Sequence, residues 1–279
     1  MNEQHFYTTS FRTSKLITRI YSTSFSMATS MFDKETRDAI YSIYGFVRIA
    51  DEIVDTFHNH NKEYLLMKFE NDYFDAVKHG ISINPVLNAF QHTVKKYHIP
   101  EKNIKAFFES MRADLGKSSY NTSEINDYIF GSAEVVGLMC LRVFCNGNEK
   151  QYEKLRLPAM KLGSAFQKVN FLRDLKNDVE HLGRKYFPDL AENNLKDKIK
   201  NKLIKDIEEE FEIAFSGIKQ LPGRSKLAVL IAYYYYKNLL RKIKRTPANH
   251  IIHSRIRISN IRKMFLLLKA SFDYKLKQI

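Results

Sequence analysis

Apolar residues recur every three or four positions along almost the whole chain, the spacing that gathers them on one stripe of an α-helix. The clearest stripe follows Asp33, where Ile40, Ile43, Tyr44, Val47 and Val54 share a face. Asp33-Lys-Glu-Thr ahead of it has the capping aspartate and polar first turn of a helix start, and the polar run 58–62 closes the helix. The same spacing predicts helices over 63–78, 84–97 and 101–117. Thr122-Ser-Glu-Ile reads as another cap, opening a helix through Tyr128 and Val136 to Phe144. A long helix is expected over 148–176, with Pro158 at an N-terminal turn or a kink. A loop over 181–188 and helices over 196–220, 223–244 and 254–276 complete the chain. No segment reads as alternating with period two, and there is no internal repeat or low-complexity linker. The pattern predicts an all-α protein in which residues 1–279 form one domain.

Composition strengthens this reading. Only ten glycines and six prolines punctuate 279 residues, which leaves few helix breakers and few tight turns. Cys140 and Cys145 lie in an apolar stretch without neighbouring histidines, so they read as buried thiols rather than as a disulfide framework or a zinc site. The N-terminal MNEQHFYTTSFRTSK lacks the continuous apolar run of a secretory signal. The most apolar windows, 135–145 and 227–236, are too short to span a bilayer. A cytoplasmic protein is expected. The formal charge of +14, with Lys and Arg dense from Lys237 to Lys269, fits a solvated basic surface first. An anionic substrate, an anionic membrane surface or nucleic acid could also account for it.

The chemistry lies in two Asp-x-x-x-Asp pairs on separate predicted helices, Asp51/Asp55 and Asp174/Asp178. Residues four apart stand one turn above the other on the same helix face. Two adjacent carboxylates repel unless a cation lies between them. A single such pair is usually a solvated helix face, but the surroundings here argue otherwise. Arg48-Ile-Ala-Asp-Glu-Ile-Val-Asp is otherwise an apolar and aromatic helix. In the second, Asn170, Asp174 and Asp178 follow at four-residue steps with Gln167 just before them, opposite Val169, Phe171, Leu172 and Leu175. An inward stripe of amide and carboxylate oxygens suits Mg²⁺ shared with phosphates. Arg48 and Arg173 add forked donors for phosphate oxygens.

These segments, in their order, resemble the squalene/phytoene synthase family of head-to-head prenyl transferases, from Tyr21 to Lys263. The similar segments are Tyr21-Ser-Thr-Ser-Phe-Ser, Tyr41 with the first aspartate motif, Tyr128-Ile-Phe-Gly-Ser-Ala-Glu-Val-Val-Gly-Leu-Met, Gln167-x-x-Asn-x-x-Arg-Asp-x-x-x-Asp and Gly183-Arg-Lys-Tyr-Phe-Pro. The third of these is most like the bacterial phytoene synthases of that family. The resemblance implies an isoprenoid synthase-like helical bundle around a central cavity. It implies Mg²⁺, with Mn²⁺ as an alternative, on Asp51, Asp55, Asn170, Asp174 and Asp178. Ser22, Ser24, Arg48, Arg173 and Arg184 would hold phosphate oxygens. Tyr41, Tyr128, Gln167 and Tyr186 would lie near the reacting carbons, with Phe25, Val136 and Gly137 against the substrate.

The implied reaction joins two allylic diphosphates through a cyclopropyl diphosphate. Two geranylgeranyl diphosphates would give phytoene, and two farnesyl diphosphates dehydrosqualene or, with a nicotinamide reductant, squalene. NADPH is not expected, and neither is a nucleic-acid partner. A non-catalytic relative serving as an assembly or lipid-binding factor would be expected to have lost the aspartates, all four of which remain. Simpler readings stand beside these roles. Ser22 and Ser24 could cap a helix, Tyr41 and Tyr128 could be core residues, and Phe25 could be packing. The run Tyr233–Tyr236 covers every helix face, so one or two of its members at most can face a substrate. The basic C-terminal region, through Arg255, Arg257, Arg262 and Lys263, is a candidate peripheral contact with a membrane surface.

Overall fold

Hydroxyl groups make the fully buried face of the first helix. In the computed structural model, which describes residues 3–180, 182–184, 186 and 197–276, α1 (Glu3–Tyr21) buries Ser10, Ser14 and Thr18 at four-residue steps. Each hydroxyl donates to the backbone carbonyl one turn earlier, Ser10 to Phe6 at 2.8 Å and Thr18 to Ser14 at 2.9 Å, so none is buried unpaired. The small face lets α1 press onto α3 (Lys34–Asp55), where a Cβ on Gly45 would lie 3.1 Å from Ser14 Cβ. An apolar period cannot reveal such a helix, and the sequence pattern missed it.

The remaining helices follow their sequence signals closely. A short α2 (Thr23–Thr29) is capped by Ser22, and α3 by Asp33, whose Oδ1 accepts from the Thr36 N–H at 3.0 Å. Then come α4 (Lys62–His79), α5 (Pro85–Tyr97) and α6 (Glu101–Gly116). Asn121, not Thr122, caps α7 (Thr122–Ile129), in a capping box with Glu124. A π-helical turn, Phe130–Glu134, joins α7 to α8 (Val135–Cys145). There Gly131 lies so close to α6 that an added Cβ would sit 2.4 Å from the Ala106 carbonyl oxygen. The 32-residue α9 (Glu149–Glu180) contains Pro158 and runs on past it. Next are α10 (Asp197–Ile218), α11 (Gly223–Arg245), α12 (Ala248–His253) and α13 (Asn260–Lys275).

The helix expected over 254–276 begins late. Arg255, Ile256, Arg257 and Ile258 are alternately exposed and buried in an extended stretch, a period of two that the sequence reading passed over. Ser259 then caps α13. The continuous helical run Thr122–Cys145 is, by length and composition, apolar enough to cross a membrane, contrary to the expectation from the shorter window 135–145. Over half of its most apolar stretch is buried within the protein, as in the core helix of a globular fold. Of the expected loop and the helix start at 196, His181, Lys185, Phe187, Pro188 and Lys196 lie outside the described residues.

Beside a smaller cluster around Leu138, Leu141 and Leu155, two large apolar clusters make the core. One gathers α3 to α6 and α8 around Phe46, Phe90 and Phe107; the other joins α7, α9, α10, α11 and α13 around Leu172, Phe211 and Leu239. The described residues are all-α, with a cavity that all three clusters line. This is the bundle expected from the pattern.

Candidate active site

A cavity of about 510 Å³ is lined by α2, α3, α8, α9 and α11. Its character changes from end to end. Near the C-terminal ends of α3 and α9 it is polar, with Arg48, Asp51, Gln167, Asn170 and Arg173 joined by Ser22 and Ser24. Toward the opposite ends it is apolar, with Phe32, Ile40, Phe144, Leu155 and Leu221. The lining follows α9 from Arg173 to Leu155, roughly 27 Å of helix at 1.5 Å per residue. A charged head and a long apolar tail match this shape. Val136 and Gly137 line the middle of it, where α8 and α9 almost touch. A Cβ on Gly163 would lie 2.5 Å from the Ala133 carbonyl oxygen, and one on Gly137 2.8 Å from that of Ala159.

The first aspartate pair splits its duties. Asp51 faces the cavity, while Asp55 is more exposed and accepts a hydrogen bond from Arg184 Nη1 at 2.7 Å. Burial first, and the nearby Asp55 charge second, push the Asp51 carboxyl up to about 8, against the pull of Arg48. Arg48 pairs with Glu52 and stacks 4.2 Å from the centre of the Tyr21 ring. Its Nε is buried without a hydrogen-bond partner among the described residues, so a donor at the polar end is still to be satisfied.

The second pair behaves in the same way. Asp178 is buried and pushed up to about 8 by burial, with Asp174 and Asp55 adding their repulsion. Arg184 joins the two motifs, its guanidinium donating to Asp55 and its backbone N–H to the Asp178 carbonyl oxygen. Asp174 pairs with its neighbour Arg173 and with Arg255, whose Nε lies 2.7 Å away. Tyr236 donates to Asn170 Oδ1 at 3.2 Å and stacks on Phe166, which fixes the amide.

A fifth aspartate, absent from the sequence reading, ties the site together. Asp114 on α6 is buried and accepts from the hydroxyls of Tyr120 at 2.7 Å and Tyr128 at 2.6 Å. Arg184 donates to the Asp114 carbonyl oxygen at 3.1 Å and lies 3.4 Å from its carboxylate, while its backbone N–H donates to the Asp178 carbonyl oxygen at 2.7 Å. Arg184 therefore links α3, α6 and α9. Tyr186 donates to the same carboxylate at 3.4 Å and stacks on Phe171. Burial pushes the Tyr128 and Tyr186 hydroxyls up, so both stay protonated donors.

Most of the predicted residues converge, and one does not. Ser22 caps α2 and also lines the cavity, as do Ser24, Phe25 and Tyr128. Tyr41, by contrast, is buried away from the cavity lining. One turn on, Tyr44 takes the place expected of it: it lines the cavity, stacks on Phe25 at 4.8 Å and is pushed up to about 12 by burial. Three residues on a helix leave two side chains about 60° apart around the axis, enough at the edge of the cavity-facing stripe to put Tyr41 in the core and Tyr44 on the lining. In the run Tyr233–Tyr236, Tyr235 and Tyr236 face the cavity; Tyr233 packs in the core and Tyr234 donates to Asp273. Asp55, Asp174, Asp178, Arg184 and Tyr186 stand behind the lining, around the polar end.

The donor set fits a hard divalent cation, being carboxylate and amide oxygens throughout. Among the described residues, no three Asp, Glu, His or Cys side chains form a group that could hold a metal ion.

The family model for squalene/phytoene synthase matches residues 18–262. The chain belongs to the squalene/phytoene synthase family. Its relatives in that family include phytoene synthase 1, chloroplastic, of Solanum lycopersicum, 29% identical over 269 residues, which covers 88% of this chain and 64% of that protein. Phytoene synthase 2, chloroplastic, of the same plant is 28% identical, covering 88% of this chain and 85% of that protein. The chain thus spans a little under two thirds of the first relative's length. Among solved structures, a dehydrosqualene synthase in complex with ligand superposes with a TM-score of 0.83 at 24% identity, covering 98% of this chain and 99% of that one. Squalene synthase HpnC from Alicyclobacillus acidocaldarius gives 0.74 at 20% identity, covering 86% and 94%. The fold of this family member is therefore the all-helical isoprenoid synthase fold.

Proposed function

We propose that the protein condenses two allylic prenyl diphosphates head to head, with residues 1–279 acting as a single catalytic domain. The observation that carries this is one cavity with a long apolar lining, whose polar end is lined by Asp51, Asn170 and Arg173 and flanked by the remaining motif aspartates. The substrate we assign is geranylgeranyl diphosphate and the product phytoene; the relatedness to plant phytoene synthases supports that choice. The dehydrosqualene synthase superposition supports a second reading, with two farnesyl diphosphates as substrates.

Asp51, Asp55, Asp174 and Asp178, with Asn170, would hold Mg²⁺ or Mn²⁺ together with the diphosphates. The metal, when bound, supplies Lewis acidity that neutralises the leaving diphosphate. Arg48 offers its unpartnered Nε to phosphate oxygens, and Arg173 and Arg184 supply further positive charge at the polar end. Ser22 and Ser24 place hydroxyls there as well. Tyr44 and Tyr128 present neutral rings and hydroxyls to the prenyl carbons, and aromatic faces favour the cation that forms when diphosphate departs. The apolar lining keeps out water that would quench that cation. Attack by the second substrate's double bond, with loss of one proton as the ring closes, gives a cyclopropyl diphosphate. Loss of its diphosphate, rearrangement and release of a second proton give the triene, with no reductant required.

The test is incubation of the purified protein with Mg²⁺ and each of the two diphosphates, without nicotinamide, followed by hydrocarbon analysis. A C40 triene from the C20 substrate is expected. A C30 triene from farnesyl diphosphate alone would support the second reading, and no hydrocarbon from either would refute both.

A further inference from the structure

The helix α13 is apolar on two opposite faces. Leu266 and Ala270 are buried against the bundle, as expected of a packed helix. On the other side Ile261, Met264, Phe265, Leu268, Phe272 and Leu276 are each 49–73% exposed. Their spacing of three and four residues places them on a continuous stripe about 120° wide, opposite the buried one. An exposed stripe of this size, with two phenylalanines, is not the ordinary scatter of apolar surface residues.

Charge says what covers it. At the N-terminal end of α13 lies a surface hollow of about 680 Å³ lined by Arg241, Lys242, Arg245, Arg257 and Arg262. Among the described residues no carboxylate lines it. Its cations are spent on neutral groups: Lys242 donates to the Arg257 carbonyl oxygen at 2.8 Å, and Arg262 to Asn238 Oδ1 at 3.1 Å. Arg262 and Lys269 flank one edge of the apolar stripe. An apolar stripe edged by cations, beside a basic hollow without acidic groups, is the complement of an anionic lipid surface.

We infer that α13 and the basic hollow beside it form a docking surface for an anionic membrane. The inference differs from one based on basic charge alone. Arg255 is engaged with Asp174 at the site, and Lys263 donates to Thr23 Oγ1 at 3.1 Å, so neither is a free membrane contact. These same bonds hold α13 beside the cavity's polar end: Thr23 opens α2, and Lys263 also lies 5.9 Å from the centre of the cavity-lining Tyr235 ring. A membrane under α13 therefore lies next to the site. Docking stands independently of the reaction proposed above, since binding is read without substrate.

The experiment is vesicle co-sedimentation of the full chain, with phosphatidylcholine vesicles and with vesicles containing one third phosphatidylglycerol. Three proteins are compared: wild type, an apolar variant (Ile261→Ser, Phe265→Ser, Phe272→Ser) and a charge variant (Arg241→Gln, Arg245→Gln, Arg257→Gln). Wild type is expected to bind the anionic vesicles at least tenfold more tightly than the neutral ones. The apolar variant should lose at least tenfold on the anionic vesicles. The charge variant should lose the preference for anionic lipid and its dependence on salt. All substituted side chains are exposed, so the melting temperature should hold, which a thermal scan verifies. The inference is overturned if wild type binds neither vesicle, or if the apolar variant binds as wild type does. It is overturned likewise if the apolar substitutions convert a dimer to a monomer by sedimentation while vesicle binding is unchanged, which would assign the stripe to a second copy of the chain.

Discussion

Half-buried Asp51 and buried Asp114 are carboxylates at the same end of the cavity, yet they serve different ends. Asp114 is fully furnished with partners: three tyrosine hydroxyls and the Arg184 guanidinium. Replacing it by Asn leaves Arg184 without a buried counter-charge, and breaking such a pair costs roughly 3 kcal/mol. Denaturant unfolding should show that loss. Asp51 has repulsion where Asp114 has partners. Asp51→Asn should leave the melting temperature at pH 8 unchanged or raised while lowering hydrocarbon formation at least about 100-fold, the scale on which preorganised charge contributes. Near-normal turnover would remove Asp51 from the reaction. The pH dependence follows from the same shifts. Asp51 and Asp178 titrate near 8 in the folded chain and near 3.8 when unfolded, so the folded state holds their protons more tightly. The stability of the metal-free protein should therefore fall as pH rises from about 4 to about 8 and level off above. Mg²⁺ with inorganic diphosphate binds the ionised forms, so the rise in melting temperature it gives should be larger at pH 8 than at pH 6. An equal or smaller rise at pH 8 would contradict the assignment. The four motif aspartates were legible because their period is local. Asp114 was not, since its partner Arg184 lies seventy residues away and no spacing announces it.

At the scale of elements, periodicity located the helices whose buried face is apolar and failed where the face is made differently. The hydroxyl-faced α1 hides from any apolar stripe, and Arg-Ile-Arg-Ile at 255–258 is too short an alternation to stand out between two helices. Tyr41 and Tyr44 show the same limit within a correctly placed helix: the spacing gives the helix, while its rotation against its neighbours decides which tyrosine meets the cavity. Close contacts set that geometry for α9 against α8 and the π-helical turn before it. Gly163→Ala would drive a Cβ against a backbone carbonyl at 2.5 Å, and neither helix can yield without moving the cavity wall. A destabilisation of about 2 kcal/mol is expected from such overpacking, with a loss of activity larger than the stability change explains. A fully active Gly163→Ala protein would show that this contact does not position the site.

Across the whole molecule, the bundle, the cavity and its polarity were readable from pattern, motif order and family resemblance, because a helical stripe must bury its apolar side somewhere. The length of the cavity was not, since it depends on which side chains from distant helices meet at its far end. Phe32 and Phe144 stack there at 5.3 Å, one from the turn before α3 and one from the end of α8. Phe144→Ala should lengthen the apolar end and shift the preferred substrate toward a longer prenyl chain, read as the ratio of C40 to C30 product in a mixture of the two diphosphates. An unchanged ratio would place the length control elsewhere.

The most direct measurement of the central claim is stoichiometry. With Mg²⁺, a single allylic diphosphate and no nicotinamide, inorganic diphosphate and hydrocarbon are quantified from the same reaction. Head-to-head condensation at the paired aspartates predicts two diphosphates released for each hydrocarbon formed, and neither product from Asp51→Asn. One diphosphate for each hydrocarbon, or diphosphate released with prenyl alcohol in place of a joined product, would contradict it.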